Sequence, residues 1–257
     1  MIACSGCKAL LGIDDGVVAD AGRLFAALHA RALATGWYDA PDRERHAPAP
    51  RAPRALAARP DDGIRPAFLL EAMQRQIVDA TDALIMSEAG NSFTWCNHAL
   101  RFAAPHRYRT SAAWGSMGHF TAGAVGAALA GARRVVALVG DGAMLMNNEI
   151  NTAVAYGASV LWIVSNDAQL GLNEHGMTAL GMTPVETQLP RTDFAAFARS
   201  QGAAGLAVDR EPALADALAR ALVTPGPVVL DVRVDPSVPA PIIAQRISSL
   251  RAQGAAS

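Results

Sequence analysis

The sequence predicts an α/β protein, a three-layer sandwich in which a mainly parallel sheet is covered by helices on both faces. Apolar runs of strand length alternate with helical ones from Ile64 onward. The strand-like runs, such as "VVALVG" and "VLWIVS", are apolar without interruption, as strands buried on both faces are. Two of those runs stop at Gly-Asp-Gly and at Asn-Asp, which places polar groups at one edge of the sheet.

Each element follows in order. Val18, Leu24, Phe25, Leu28 and Leu33 recur at helical spacing, so residues 1–36 are read as a helical segment. Residues 37–63 are rich in Pro, Arg and Ala without apolar periodicity and read as a linker. The main domain spans residues 64–236. It opens with the helix "AFLLEAMQRQIVDA" and the short strand "DALIMSEAG". The small-residue helix "HFTAGAVGAALAGA" leads to the strand "RRVVALVGDG", and the helix "NNEINTAVAYG" leads to "SVLWIVSND". Helices in "DFAAFARSQG" and "EPALADALARALV" precede a last strand, "GPVVLDVRVDP". Residues 237–257 form a tail or lid. The small residues of "TAGAVGAALAGA" suit either a dimer face or packing on the sheet.

Composition narrows the function. The 257 residues are 51% hydrophobic and 18% charged, with a formal net charge of −1, which disfavours nucleic acid or an anionic membrane as partner. No apolar run is long enough to span a bilayer, and no signal peptide is read, so the expected location is cytoplasmic. Cys4 and Cys7 have Cys-x-x-Cys spacing but no second ligand pair, and are read as reduced and incidental. Lys8 is the only lysine, which leaves none for a Walker phosphate loop.

The two polar strand ends carry the chemistry. Asp141 and Asp167 end neighbouring or next-but-one strands of one βαβ unit and can meet at one edge of the sheet. Two hard oxygen donors beside glycines suit Mg²⁺, whose octahedron a diphosphate would help to complete. Backbone N–H groups in a Gly-rich turn and at a helix start would hold the other diphosphate oxygens.

The stretch "GDGAMLMNNEINTAVAYGASVLWIVSNDAQLGL" resembles the thiamine diphosphate (ThDP) motif, and it is most similar to the C-terminal cofactor-binding (PP) domain of acetolactate synthase-like enzymes. "EAGNSFTW" resembles the segment that reaches the diphosphate, and "WGSMGHFTAGAVGAALA" the stretch that seats the aminopyrimidine. The resemblance implies ThDP and Mg²⁺ as cofactors, with Asp141, Asp167 and the backbone carbonyl of Gln169 on the metal. It implies diphosphate contacts from Gly140, Gly142, Ala143, Asn166, Gly171 and Leu172, with Gly90, Asn91 and Ser92 on the far side. Gly115, Ser116 and Met117 would seat the pyrimidine, Met117 as the wedge that bends the cofactor. Glu174 and His175 are read either as substrate-facing groups or as exposed loop residues.

Three departures qualify the resemblance. Asp167 stands where the family commonly has Asn, adding a negative charge beside a diphosphate. Gly176 falls near the position of a tryptophan that shapes the acceptor pocket in acetolactate synthases. No glutamate lies in the context of the pyrimidine-binding (Pyr) domain, which takes on the order of 150 residues. The resemblance therefore implies the PP-domain subunit of a split enzyme, active with a Pyr-domain partner in a hetero-oligomer built on a dimer of PP domains. Its reaction would be decarboxylation of a 2-oxo acid and ligation of the acyl unit to an acceptor. The alternatives are a two-subunit decarboxylase of the sulfopyruvate or phosphonopyruvate type and a non-catalytic PP-like scaffold.

Overall fold

Alternate residues of a strand point to opposite faces of its sheet, and the central strands of this chain are apolar at both sets of positions. The structure, a computed structural model, describes residues 21–35, 56–60, 63–110, 114–131, 133–146 and 149–241. It divides into two units, residues 1–52 and 53–257. In the first, the expected amphipathic helix forms as α1 (Ala21–Ala34). Cys4, Cys7 and most of the expected linker and tail lie outside the described residues.

The second unit is built on a six-stranded sheet in the order β2-β1-β3-β4-β6-β5, every neighbouring pair parallel. Its strands are β1 (Leu84–Ser87), β2 (Tyr108–Thr110), β3 (Val135–Gly140), β4 (Val160–Asn166), β5 (Ala204–Val208) and β6 (Val228–Arg233). The pleat feeds two cores. Ile85, Val136, Leu138, Leu161, Ile163 and Leu230 face one layer of helices, α2 (Pro66–Met73), α3 (Asn91–Ala99) and α9 (Glu211–Val223). Val135, Ala137, Val139, Val160, Trp162 and Val164 face the other, α4 (His119–Ala130), α5 (Asp141–Met146), α6 (Ile150–Ala155) and α8 (Phe194–Ser200). The expected three-layer sandwich is thus present. Fully burying a Val, Leu or Ile side chain is worth about 1.5–3 kcal/mol, so the doubly covered strands are the thermodynamic centre of the domain.

Details differ from the sequence reading. The helix from Pro66 widens after Met73 into one π-helical turn, Gln74–Val78. The helix expected in "NNEINTAVAYG" forms as α6 from Ile150, and a further short helix, α5, precedes it and starts at Asp141 itself. The edge strands β2 and β5 and the helices α3 and α7 (Gly171–Ala179) are additions. Residues 56–60, read as linker, are bonded to the sheet domain. Glu71 accepts from Leu56 N at 2.9 Å, and the buried Glu211 accepts from Arg59 N at 2.6 Å and from the Arg65 guanidinium at 2.7 Å. Carboxylates elsewhere in the chain hold what periodicity alone left free. The small-residue helix α4 packs one face, Phe120, Thr121, Ala124, Val125 and Ala128, onto the domain, in line with the sheet-packing alternative.

Candidate functional site

From β1 the chain moves outward to β2, then returns to place β3 on the other side of β1. That reversal leaves a crevice at the carboxyl ends of the strands, where open α/β sheets bind ligands. A cleft of about 260 Å³ lies there. Three turns line it: Ala89–Ser92 after β1, Gly140–Ala143 after β3, and Ser165, Asp167 and Gln169–Asn173 at the end of β4 and beyond it, with Gly115 and Met117 beside them. β3 and β4 are direct neighbours, with Gly140 opposite Ser165, so their polar ends share one edge.

Backbone approaches the cleft closely because glycine leaves it room. A Cβ on Gly171 would lie 2.5 Å from Asp167 Oδ2 and 2.7 Å from Asn91 Nδ2. A Cβ on Gly142 would lie 2.9 Å from Leu170 Cδ2 and 3.9 Å from Met117 Sδ. Gly90, at φ 88° and ψ −147°, holds a conformation closed to side-chain-bearing residues. Asn91 and Ser92 begin α3 and Gly171 and Leu172 begin α7, so the positive ends of two helices open on the cleft. Asn91 Oδ1 is buried there without a hydrogen-bond partner among the described residues.

The cleft's side-chain charges are both negative. Asp141 and Asp167 line it, and among the described residues no Lys, Arg or His does. Asp141 Oδ1 accepts from Gly142 N at 2.7 Å. Burial nevertheless holds its carboxyl above the usual value, against the N–H groups of Gly142, Ala168 and Gln169 and the charge of Arg191. Asp167 is pushed up to about 7, first by burial and then by the Asp141 charge. A buried carboxylate whose pKa is raised further by the charge of a second one is stabilised by a dication placed between them. Among the described residues no group of three or more His, Cys, Asp or Glu could hold a metal. A cation here would draw on these two, on a backbone carbonyl and on oxygens from a ligand. The donors, the glycine-lined approach and the helix N-termini therefore fit a magnesium–diphosphate group.

Gln169 lies in a turn set by Ala168, whose φ of 55° is left-handed. A short antiparallel bridge fixes that turn: Leu170 N donates to Thr187 O at 2.7 Å and Leu189 N to Ala168 O at 2.8 Å, leaving the Gln169 carbonyl outside the ladder. The Gln169 side chain donates to Pro236 O at 3.0 Å.

Four of the expected residues do not line the cleft. Asn166 is fully buried and donates to Asp231 Oδ1 and Thr192 O, both at 2.9 Å. The pleat explains it: along β4, Asn166 follows Trp162 and Val164 onto the α8 face, while Ser165 meets the cleft. Ser116 is exposed beside Met117. Glu174 and His175 lie on α7 rather than on a loop, Glu174 accepting from Thr187 Oγ1 and His175 Nε2 lying 2.8 Å from Pro236 O. Gly90, Asn91, Ser92, Gly115, Met117, Gly140, Gly142, Ala143, Gly171, Leu172, Asp141, Asp167 and Gln169 all line it.

One residue was not singled out from the sequence. Glu88, fully buried, accepts from Ala89 N at 3.0 Å, Phe120 N at 2.7 Å and Thr121 N at 3.2 Å. An acidic residue ending an apolar strand was its only signal.

Comparison with known proteins agrees with this geometry. Residues 88–232 match the family described as thiamine pyrophosphate enzyme, C-terminal TPP binding domain. A Mycobacterium tuberculosis protein named for an acetolactate synthase large subunit, IlvB2, is 35% identical over 200 residues, 76% of this chain and 36% of the relative. The sulfoacetaldehyde acetyltransferase of Castellaniella defragrans is 31% identical over 144 residues, 55% of this chain and 24% of the relative. The chain thus spans about a third or less of the length of these curated relatives. The benzoylformate decarboxylase of Polynucleobacter necessarius superposes with a TM-score of 0.61 at 24% identity, covering 66% of this chain and 33% of that one, which shows a shared fold.

Proposed function

Because the chain belongs to the thiamine pyrophosphate enzymes through their C-terminal TPP-binding domain, we propose that it is the cofactor-binding half of a ThDP- and Mg²⁺-dependent enzyme acting on 2-oxo acids. The other half is a Pyr domain outside these 257 residues, on a partner chain in a hetero-oligomer. The observation that carries this reading is the convergence of Asp141, Asp167 and Gly171 at the carboxyl ends of β3 and β4, in a cleft with no cation among its described lining residues. No described helix is long and apolar enough to cross a membrane.

Asp141, Asp167 and the Gln169 carbonyl would hold Mg²⁺, and through it the diphosphate. The N–H groups that open α3 and α7 would take the remaining diphosphate oxygens. Asn91, with an unpartnered buried Oδ1 and an amide beside Gly171, is poised on the same side. Met117, half-exposed with its sulfur toward Gly142, would support the bend of the cofactor between its two ends. When bound, the cofactor supplies the electron sink that lets a 2-oxo acid lose CO₂. The glutamate that activates it would come from the Pyr domain.

We assign the overall reaction as decarboxylation followed by transfer of the acyl unit to an acceptor. The names of the relatives, an acetolactate synthase and an acetyltransferase, support transfer over simple decarboxylation. The resemblance sets Gly176 near the tryptophan that shapes the acceptor pocket of acetolactate synthases, and glycine at that place supports an acceptor larger than in acetolactate formation. Calorimetric titration of the purified chain with ThDP and Mg²⁺, with and without a Pyr-domain partner, tests the shared site. Binding tightened by the partner, and a ligated α-hydroxyketone product from 2-oxo acids, are the expected results. Free aldehyde as the sole product would replace the synthase with a decarboxylase. Absence of cofactor binding under every condition would leave a scaffold.

A further inference from the structure

Glu88 has no exposed surface, and a carboxylate so buried costs several kcal/mol unless its charge is matched. Here three backbone N–H groups match it. Oε1 accepts from Ala89, at the head of the turn that lines the cleft through Gly90, Asn91 and Ser92. Oε2 accepts from Phe120 and Thr121, the second and third residues of the twelve-residue helix α4. The turn that enters α4 contains Gly115 and Met117, on the other side of the cleft. Glu88 is itself fixed, its N–H donating to Leu138 O on β3 at 3.0 Å.

A helix start usually takes its cap from the residue beside it. The N-cap of α4 is Gly118, at φ 87°, which has no side chain to offer. The carboxylate that neutralises this helix terminus comes instead from the end of β1. Two further bonds fix the same first turn, Thr121 Oγ1 to Gly118 O at 2.8 Å and Trp162 Nε1 to Thr121 O at 3.0 Å. A local cap would hold α4 alone; this one makes the position of Met117 depend on the position of Gly90.

Resting on the reading of the cleft as a ThDP site, we propose that Glu88 is a positioning residue that locks the turn under the diphosphate to the turn under the pyrimidine. The two ends of the cofactor then meet surfaces held at a fixed separation. Asp141 and Asp167 belong to other turns, so the metal clamp does not depend on this bond.

The test compares the full chain with Glu88→Gln, which keeps the shape but sets an amide donor against N–H groups. Backbone hydrogen exchange is read first and needs no ligand. About tenfold or faster exchange in both 89–92 and 115–121, with β3 and β4 unchanged, is expected. A change confined to one turn, or spread evenly over the domain, would overturn the bridge. Affinity is read next with two probes, ThDP with Mg²⁺ and inorganic pyrophosphate with Mg²⁺. The variant is expected to lose about tenfold or more in affinity for the first and clearly less for the second, which meets only one of the two loosened turns; equal loss of both would overturn the proposal. Should Glu88→Gln fail to fold, Glu88→Asp, which keeps the charge but shortens its reach to the N–H groups of Ala89, Phe120 and Thr121, must give the same selectivity at smaller size. A wild-type chain that binds neither probe, with or without a Pyr-domain partner, would count against the ThDP reading, while the exchange data would still decide whether Glu88 joins the turns.

Discussion

Asp167 Oδ2 stands 2.5 Å from the point that a Cβ on Gly171 would occupy, and Asn91 Nδ2 stands 2.7 Å from the same point. Glycine at 171 is therefore a condition for the carboxylate and the amide to face one cleft. Real Cβ atoms do not tolerate such distances, so a methyl there must displace one group or both.

Gly171→Ala separates fold from site. The residue opens α7, where alanine is the better helix former by about 1 kcal/mol, so the helix itself does not suffer. The displaced groups are the ones assigned to the metal and the diphosphate. The variant should remain folded by near-ultraviolet circular dichroism and lose about tenfold or more in Mg²⁺–ThDP affinity by calorimetry. Unchanged affinity would show that Asp167 does not hold the metal where it now stands.

Metal dependence follows from the cleft's charges. With two carboxylates and no cation among its described lining residues, the cleft repels a diphosphate until a dication intervenes. Chelation with EDTA should abolish ThDP binding, and Mg²⁺ should restore it. Asp167→Asn removes one charge while keeping an oxygen donor, so it should retain cofactor binding and weaken the requirement for metal. Asp141→Ala removes the donor held by Gly142 N and should abolish binding. Equal loss in both variants on ThDP titration would contradict this ranking.

The same carboxylates give the metal-free protein a pH dependence of stability. The Asp167 carboxyl is raised to about 7 by burial and the Asp141 charge, against about 3.9 for an unfolded aspartate. Between those values the folded state holds more protons than the unfolded one, so stability falls as pH rises. Burial raises Asp141 and Asp231 as well, with the same sign. Calorimetric melting without metal should therefore show a midpoint several degrees higher at pH 5 than at pH 7.5. Saturating Mg²⁺, which stabilises the ionised carboxylates, should flatten the difference. A midpoint that rises with pH in EDTA would refute the assignment.

How much of this was legible in the sequence depends on what each residue answers to. Val135–Val139 and Val160–Val164 show as strands because both faces of each are buried, and continuous apolarity records that. β2 is only Tyr-Arg-Thr, with its outer edge unpaired, and three polar-rich residues carry no period. β5, Ala-Gly-Leu-Ala-Val, is weak in strand formers because α8 passes so near that a Cβ on Gly205 would run into the Ala195 carbonyl. α7 contains two glycines and an asparagine and is fixed by its neighbours more than by propensity. Asp141, Asp167 and the glycines were legible because the motif they resemble names residue types at fixed spacing, and the structure brings those residues to one cleft. Glu88 was not, because its partners are backbone N–H groups, which no sequence pattern names.

Asn166 tests the line between scaffold and site. Motif resemblance places it among the cofactor contacts, but its amide is spent inside the protein, on Asp231 Oδ1 and Thr192 O. Asp231 in turn accepts from Phe194 N at 3.1 Å, so the pair joins β4 and β6 to the start of α8. Asn166→Asp would set two buried carboxyls against each other, and both can be accommodated only if one stays protonated. The expected loss is about 3 kcal/mol or more of unfolding free energy in denaturant titrations, growing with pH. Asn166→Ala removes the donor without adding charge and should cost less. In protein that remains folded, Mg²⁺–ThDP affinity should change less than threefold, because the side chain faces α8 and Ser165 faces the cleft. A large loss of affinity with stability intact would return Asn166 to the cofactor contacts and require the end of β4 to turn over when the ligand binds.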